Sequence, residues 1–127
     1  MTHRLRQWPP TVYPKEANDL PEAKPDIDAA LRAMARFGPM REEYGAKNLG
    51  QAKDGLWQLG FKVNRKQIRI LYAPYDDVIV VYCIHPKTSP QEQERAYERA
   101  MRRKKEAERQ MKQQGDRGAG LPAITVH

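Results

Sequence analysis

Leu56-Trp57-Gln58-Leu59-Gly60-Phe61-Lys62-Val63, Gln67-Ile68-Arg69-Ile70-Leu71-Tyr72-Ala73 and Val78-Ile79-Val80-Val81-Tyr82-Cys83-Ile84 follow one another closely, and all are rich in β-branched, aromatic or other apolar residues. Asn64-Arg65-Lys66 and Pro74-Tyr75-Asp76-Asp77 separate them. Connections this short hold no crossover helix, so the three strands are expected to pair antiparallel as a meander. In the first run Trp57, Leu59, Phe61 and Val63 share one face and Gln58, Gly60 and Lys62 the other, which predicts one core face and one partly open face. The third run is apolar on both faces and reads as central. Arg69 interrupts the otherwise apolar second run, and an arginine there needs an anionic partner or an open groove.

Beyond the strands, His85-Pro86-Lys87-Thr88 leads into Ser89-Pro90-Gln91-Glu92. An N-cap serine, a proline at the first helical position and a glutamate three residues after the cap mark a helix start. The helix is expected from Pro90 to about Gln113, with Ala96, Ala100, Ala107 and Met111 on a narrow apolar stripe and lysine, arginine and glutamate elsewhere. A single domain over 1–113 and a flexible tail over 114–127 follow. Upstream, residues 40–55 are polar and glycine-punctuated, which predicts mostly loop. Ile27, Leu31, Met34 and Ala35 recur at helical spacing between Pro25 and Gly38-Pro39, predicting a helix over roughly 25–37. Residues 1–24 carry four prolines, leaving Thr11-Val12-Tyr13 as the only strand candidate there. The fold class is α+β, an antiparallel sheet with an N-terminal helical segment and a long C-terminal basic helix.

The 127 residues suit one domain, and Lys+Arg 23 against Asp+Glu 16 gives a formal charge of +7. Mean hydropathy is −0.88, and no stretch approaches the roughly 18 to 20 apolar residues of a membrane span, so a soluble cytoplasmic protein is expected, with no membrane partner. Cys83, the only cysteine, permits no internal disulfide and reads as a buried strand thiol. His3, His85 and His127 are too scattered for a metal centre, so no metal and no small-molecule cofactor are expected. A basic balance of this size points toward a polyanion, most commonly nucleic acid.

No phosphate loop, nucleophile elbow or metal-binding histidine pair is present. What remains is a basic, partly aromatic set on the sheet: Lys62, Arg65, Lys66, Arg69, Tyr72, Tyr82, His85 and Lys87. Such a set suits metal-free RNA cleavage, in which a 2′-hydroxyl attacks the adjacent phosphate. That reaction needs a base, an acid and cations for the charge gathering on phosphorus. Arg69 is the candidate bidentate phosphate clamp, with Lys62 or Lys87 adding electrostatic stabilisation. His85 is the only internal group titrating near neutrality, which makes it the candidate acid or base. Tyr72 or Tyr82 is the candidate stacking platform for a splayed base, and Arg65 and Lys66 extend the RNA-binding face.

Leu31-x-x-Met34-Ala35-x-x-Gly38, Lys47-Asn48-Leu49, Gly55-Leu56-Trp57-Gln58-Leu59, Arg69-Ile70-Leu71-Tyr72 and Lys87-Thr88-Ser89-Pro90 before an Ala/Arg/Glu helix stand in this order. Over about residues 12–110 the order resembles the RelE/ParE toxin superfamily, particularly its HigB-like, phage-derived branch. The resemblance implies a RelE-like domain with helices packed on a curved antiparallel sheet. It also implies the toxin of a type II toxin-antitoxin pair, a metal-independent endoribonuclease acting on mRNA at the ribosome and neutralised by a cognate antitoxin protein. By match to the family's Arg-x-x-Tyr strand, Arg69 would hold the scissile phosphate, and Lys87 matches the second lysine of its Phe-x-Lys-Lys-Thr segment. Pro86 stands where that segment's first lysine is expected, Gln58 replaces a frequent glutamate and Gly60 a frequent arginine. Lys62 and His85 are the candidates to replace the two missing cations. The rival expectations are a non-enzymatic toxin or phage interaction protein on the same scaffold, such as a ParE-like gyrase inhibitor or a host-factor binder, and a general nucleic-acid binder.

Overall fold

The computed structural model describes residues 3–39 and 45–126. Four of the predicted elements stand close to their expected bounds: helix α1 at Lys24–Phe37 and strands Trp57–Val63, Lys66–Tyr75 and Val78–Pro86. The C-terminal helix α2 spans Pro90–Gln114, and the Ser89 side chain accepts from the Glu92 N–H at 3.1 Å, a cap that contributes about 1 kcal/mol. α1 starts without a side-chain cap; Pro25 sits in its first turn, Asp26 meets the positive end of its dipole, and Gly38 closes it at φ 86°.

Two strands escaped the sequence reading. β1 is Arg4–Gln7, where no strand was expected, whereas Val12–Ala17, containing part of the piece read as a strand, winds into a π-helical turn. The cause is local: Gln7 Oε1 accepts from the Tyr13 N–H at 2.7 Å, and Thr11 O accepts from the Lys15 N–H at 2.9 Å, so no ladder partner is needed. β2, Ala46–Asn48, lies inside the stretch read as loop, part of which (40–44) falls outside the described residues. With β3 (Trp57–Val63), β4 (Lys66–Tyr75) and β5 (Val78–Pro86) these make an open five-stranded sheet of order β1-β5-β4-β3-β2. The expected meander β3-β4-β5 is antiparallel. The sheet as a whole is mixed, because β1 runs parallel to β5.

Both faces are covered. α1 and the π-helical turn lie on one face, where Ile27, Leu31 and Met34 pack with Leu59, Ile70, Tyr72 and Val81. α2 lies on the other, where Ala96, Ala100 and Ala107 pack with Leu71, Val80 and Tyr82. Three alanines on the inner side of α2 let the helix approach the sheet closely. Of residues 114–127, read as a flexible tail, Gln114 ends α2, and the segment from Gly118 onward lies against the sheet as far as it is described. Leu121 and Ile124 are buried, the Gln7 N–H donates to Pro122 O at 2.9 Å, and Ala123 bridges Arg6. This segment covers the outer edge of β1.

One irregularity positions the functional residues. Leu71 pairs with Cys83 but Tyr72 pairs with Val81, so Tyr82 is an extra residue, a β-bulge in β5. Strict alternation would place His85 on the same face as Ile79 and Val81, under α1. The bulge shifts the phase by one residue and turns Cys83 and His85 to the α2 face.

Candidate nucleic-acid site

On the α2 face, beyond the start of the helix, Gly60, Arg69 and His85 stand directly opposite one another on three adjacent strands. Among the described residues a Cβ at Gly60 would meet only Ile68 O, at 3.9 Å. One row further, about 7 Å away by strand geometry, Lys62 lies opposite Gln67, whose carbonyl accepts from the Lys87 N–H at 2.7 Å. Lys62 and Lys87 are both exposed and make no ion pair among the described residues.

Arg69 has only neutral partners. Its Nη1 donates to Tyr97 Oη at 3.1 Å and to Gln58 Oε1 at 3.3 Å. Tyr97 Oη donates to Gln58 Oε1 at 2.7 Å and accepts from Gln93 Nε2 at 2.7 Å. These bonds hold one corner of the guanidinium, and among the described residues the N–H groups of Nε and Nη2 have no acceptor. That edge is the one that engages a carboxylate or phosphate bidentately. No carboxylate among the described residues pairs with Arg69, and Gln58, buried at 9% exposure, adds no charge.

His85 is 6% exposed, its Nδ1 lies 3.2 Å from Pro86 O, and its Nε2 has no partner. Nδ1 then carries the proton and Nε2 a free lone pair. Burial pushes the imidazole below the ordinary histidine range; the Pro86 carbonyl and Glu16 oppose this, while the positive charges of Arg69 and Arg99 reinforce it. At neutral pH the ring is therefore an uncharged base. The unfolded chain binds a proton that the folded chain refuses, so this contribution to stability is fully present above the ordinary histidine value. It is lost as pH falls from there through the lowered folded value. The melting temperature of the protein is expected to drop more steeply from pH 8 to pH 5 than that of His85→Gln; identical slopes would contradict a buried neutral His85.

The remaining sequence candidates separate from this cluster. Arg65 and Lys66 are exposed at the β3–β4 turn, where Asn64 and Arg65 adopt φ 48° and 73°. Tyr72 is fully buried on the α1 face, its ring stacked near Trp57 at 6.4 Å. Tyr82 is fully buried under α2, its hydroxyl 2.8 Å from that of Tyr75, which donates to Glu108 at 2.8 Å. Neither ring offers a face to a base, because β4 alternation and the β5 bulge turn both into the core. Tyr97, Gln93 and Arg99 of α2 join the site although the sequence reading named none of them as a site residue. The signal for Tyr97 was its distance of eight residues from the Ser89 cap, two turns that keep it over the strand ends.

Cys83 is buried beside the site, and burial, aided by Glu16 against Arg99 and Arg103, pushes its thiol up to about 12. A native protein at pH 8 is expected to leave a disulfide-exchange reagent unreacted over minutes and to react stoichiometrically once unfolded. Prompt native reaction would show that this strand opens. Among the described residues there is no His/Cys/Asp/Glu cluster that could hold a metal ion, and no helix long and apolar enough to cross a membrane. No protein-family model, curated protein or solved structure matches this chain.

Proposed function

We propose that this protein is a metal-independent endoribonuclease that cuts mRNA at the ribosome, the toxin of a toxin-antitoxin pair whose antitoxin covers the basic strand ends. The observation that carries the reading is the Arg69 guanidinium, held at one corner by neutral groups, open along its bidentate edge and placed opposite a neutral histidine. Arg69 would clamp the scissile phosphate. The ribose 2′-oxygen forms a bond to phosphorus, giving up its proton to His85 Nε2, which a turn of the buried ring would bring to the surface, and the bond from phosphorus to the 5′-oxygen breaks. The products are a 2′,3′-cyclic phosphate and a 5′-hydroxyl, the leaving oxygen taking its proton from solvent or from Lys87. Lys62 and Lys87 oppose the negative charge that accumulates on the phosphoryl oxygens.

The ordered motifs that resemble those of HigB-like toxins support the same reading. Gln58, in place of a glutamate, gives Arg69 a neutral partner instead of a carboxylate, which favours binding of an outside anion. The test is brief induced expression in bacteria with transcript 5′ ends mapped, for the wild type and for Arg69→Ala. New ends inside translated regions that vanish in the variant are expected. Growth arrest without new ends would move the function to protein binding, as in a gyrase inhibitor, and absence of arrest would remove the toxin reading.

A further inference from the structure

The β1 ladder ends at the pair Gln7–Val81, whereas β5 continues to Pro86. Along this unpaired stretch Glu16 Oε1 accepts from the Ile84 N–H at 2.9 Å. Arg103 Nη1 donates to Tyr82 O at 2.7 Å and to Glu16 Oε2 at 2.8 Å. A cleft of about 450 Å³ opens beside this pair, between the π-helical turn and α2, with His85 on its wall. It lies on the opposite side of β5 from β4 and its Arg69.

The groups of the cleft are largely uncommitted. Among the described residues Arg99 has only a 3.8 Å contact from Nη2 to Cys83 Sγ, and its buried Nε has no partner there. Lys15 and Asp19 are exposed on the other wall, neither in an ion pair among the described residues, and Leu20, Ile84 and Pro86 supply apolar surface. The volume falls in the ~300–1,000 Å³ range of small-molecule sites and far exceeds the needs of a lone phosphate. Two cations on opposite walls, apolar sides and one free carboxylate suit a nucleotide, with its anionic phosphate and flat heterocycle. A carboxylate selects the heterocycle whose edge offers two adjacent N–H donors. Guanine does so through N1 and N2, whereas adenine presents a lone pair at N1 that a carboxylate repels.

We propose that this cleft binds one guanine nucleotide of the RNA strand, its phosphate against Arg99 and Lys15 and its base edge on Asp19. The inference rests on the reading of the chain as an RNA-cleaving protein and adds a base preference to it. Titration of the full chain with 5′-GMP, 5′-AMP and inorganic phosphate, followed by calorimetry or amide chemical shifts, tests it. 5′-GMP is expected to bind at least about 10-fold more tightly than 5′-AMP, the discrimination of one well-made charged contact. Asp19→Asn is expected to remove that preference while retaining phosphate-driven binding, and Lys15→Ala to weaken both nucleotides equally. Both side chains are exposed, so neither substitution threatens the fold. Equal affinity for the two nucleotides, binding of inorganic phosphate as tight as that of 5′-GMP, or a preference that survives Asp19→Asn would overturn the subsite. Guanine preference without RNA cleavage would leave the subsite and remove the endoribonuclease reading; Arg69-dependent cleavage without the preference would do the reverse.

Discussion

Arg69→Ala is expected to lower the rate of RNA cleavage by about 10²–10³-fold, the loss seen when one preorganised donor to a developing oxyanion is removed. The structure separates this effect from unfolding. Arg69 is partly exposed and its two bonds go to Tyr97 and Gln58, which are also bonded to each other at 2.7 Å, with Gln93 donating to Tyr97, so the substitution strands neither. The variant should therefore melt within a few degrees of the wild type. Arg69→Lys keeps the charge but loses the planar fork, so an intermediate rate is expected. Lys87→Ala, an exposed change one row away, should reduce the rate less. The measurement is cleavage of a defined transcript on translating ribosomes, with melting curves in parallel. Wild-type rates in Arg69→Ala would dissociate this cluster from the chemistry.

Arg103→Met carries the largest expected cost in stability, about 3 kcal/mol. Its guanidinium and the Glu16 carboxylate are only 15% and 17% exposed, and together they serve the backbone where β1 no longer pairs with β5. Removing Arg103 leaves Glu16 without a counter-charge and Tyr82 O without its donor. For a domain of this size the change corresponds to a fall of about 10 °C in melting temperature. Glu16→Gln on the same background should cost much less than it does alone, because the stranded carboxylate is then gone. Additive effects of the two substitutions would show that the pair does not act as a unit.

Much of the candidate site was legible in the sequence because it rests on chemistry confined to short segments. An arginine inside an apolar strand stands out whatever the tertiary structure, and so does a histidine at a strand end before a capped helix. Tyr72 and Tyr82 were offered as stacking platforms because tyrosine on a sheet has two faces to choose from. Their burial follows from which helix covers which face, and no strand pattern that is apolar on both sides contains that information. Arg99 was indistinguishable from the other cations of α2, since its place beside Cys83 depends on where the helix crosses the sheet.

The sequence by itself determined what local physics controls. The periodicity of 25–37, the Ser89-Pro90-x-Glu92 cap and the short β3–β4 and β4–β5 connections sufficed for two helices and an antiparallel meander. Only the tertiary structure decided the outer strands and the faces. β1 is four residues long and exists because β5 offers it a parallel edge, and β2 is three residues long and exists because β3 does the same. Segments so short have no hydrophobic period to reveal them. The bulge at Tyr82 is likewise a matter of pairing, since one unpaired residue reverses the facing of all that follow. That reversal brings His85 opposite Arg69, and two residues distant by sixteen positions become one site.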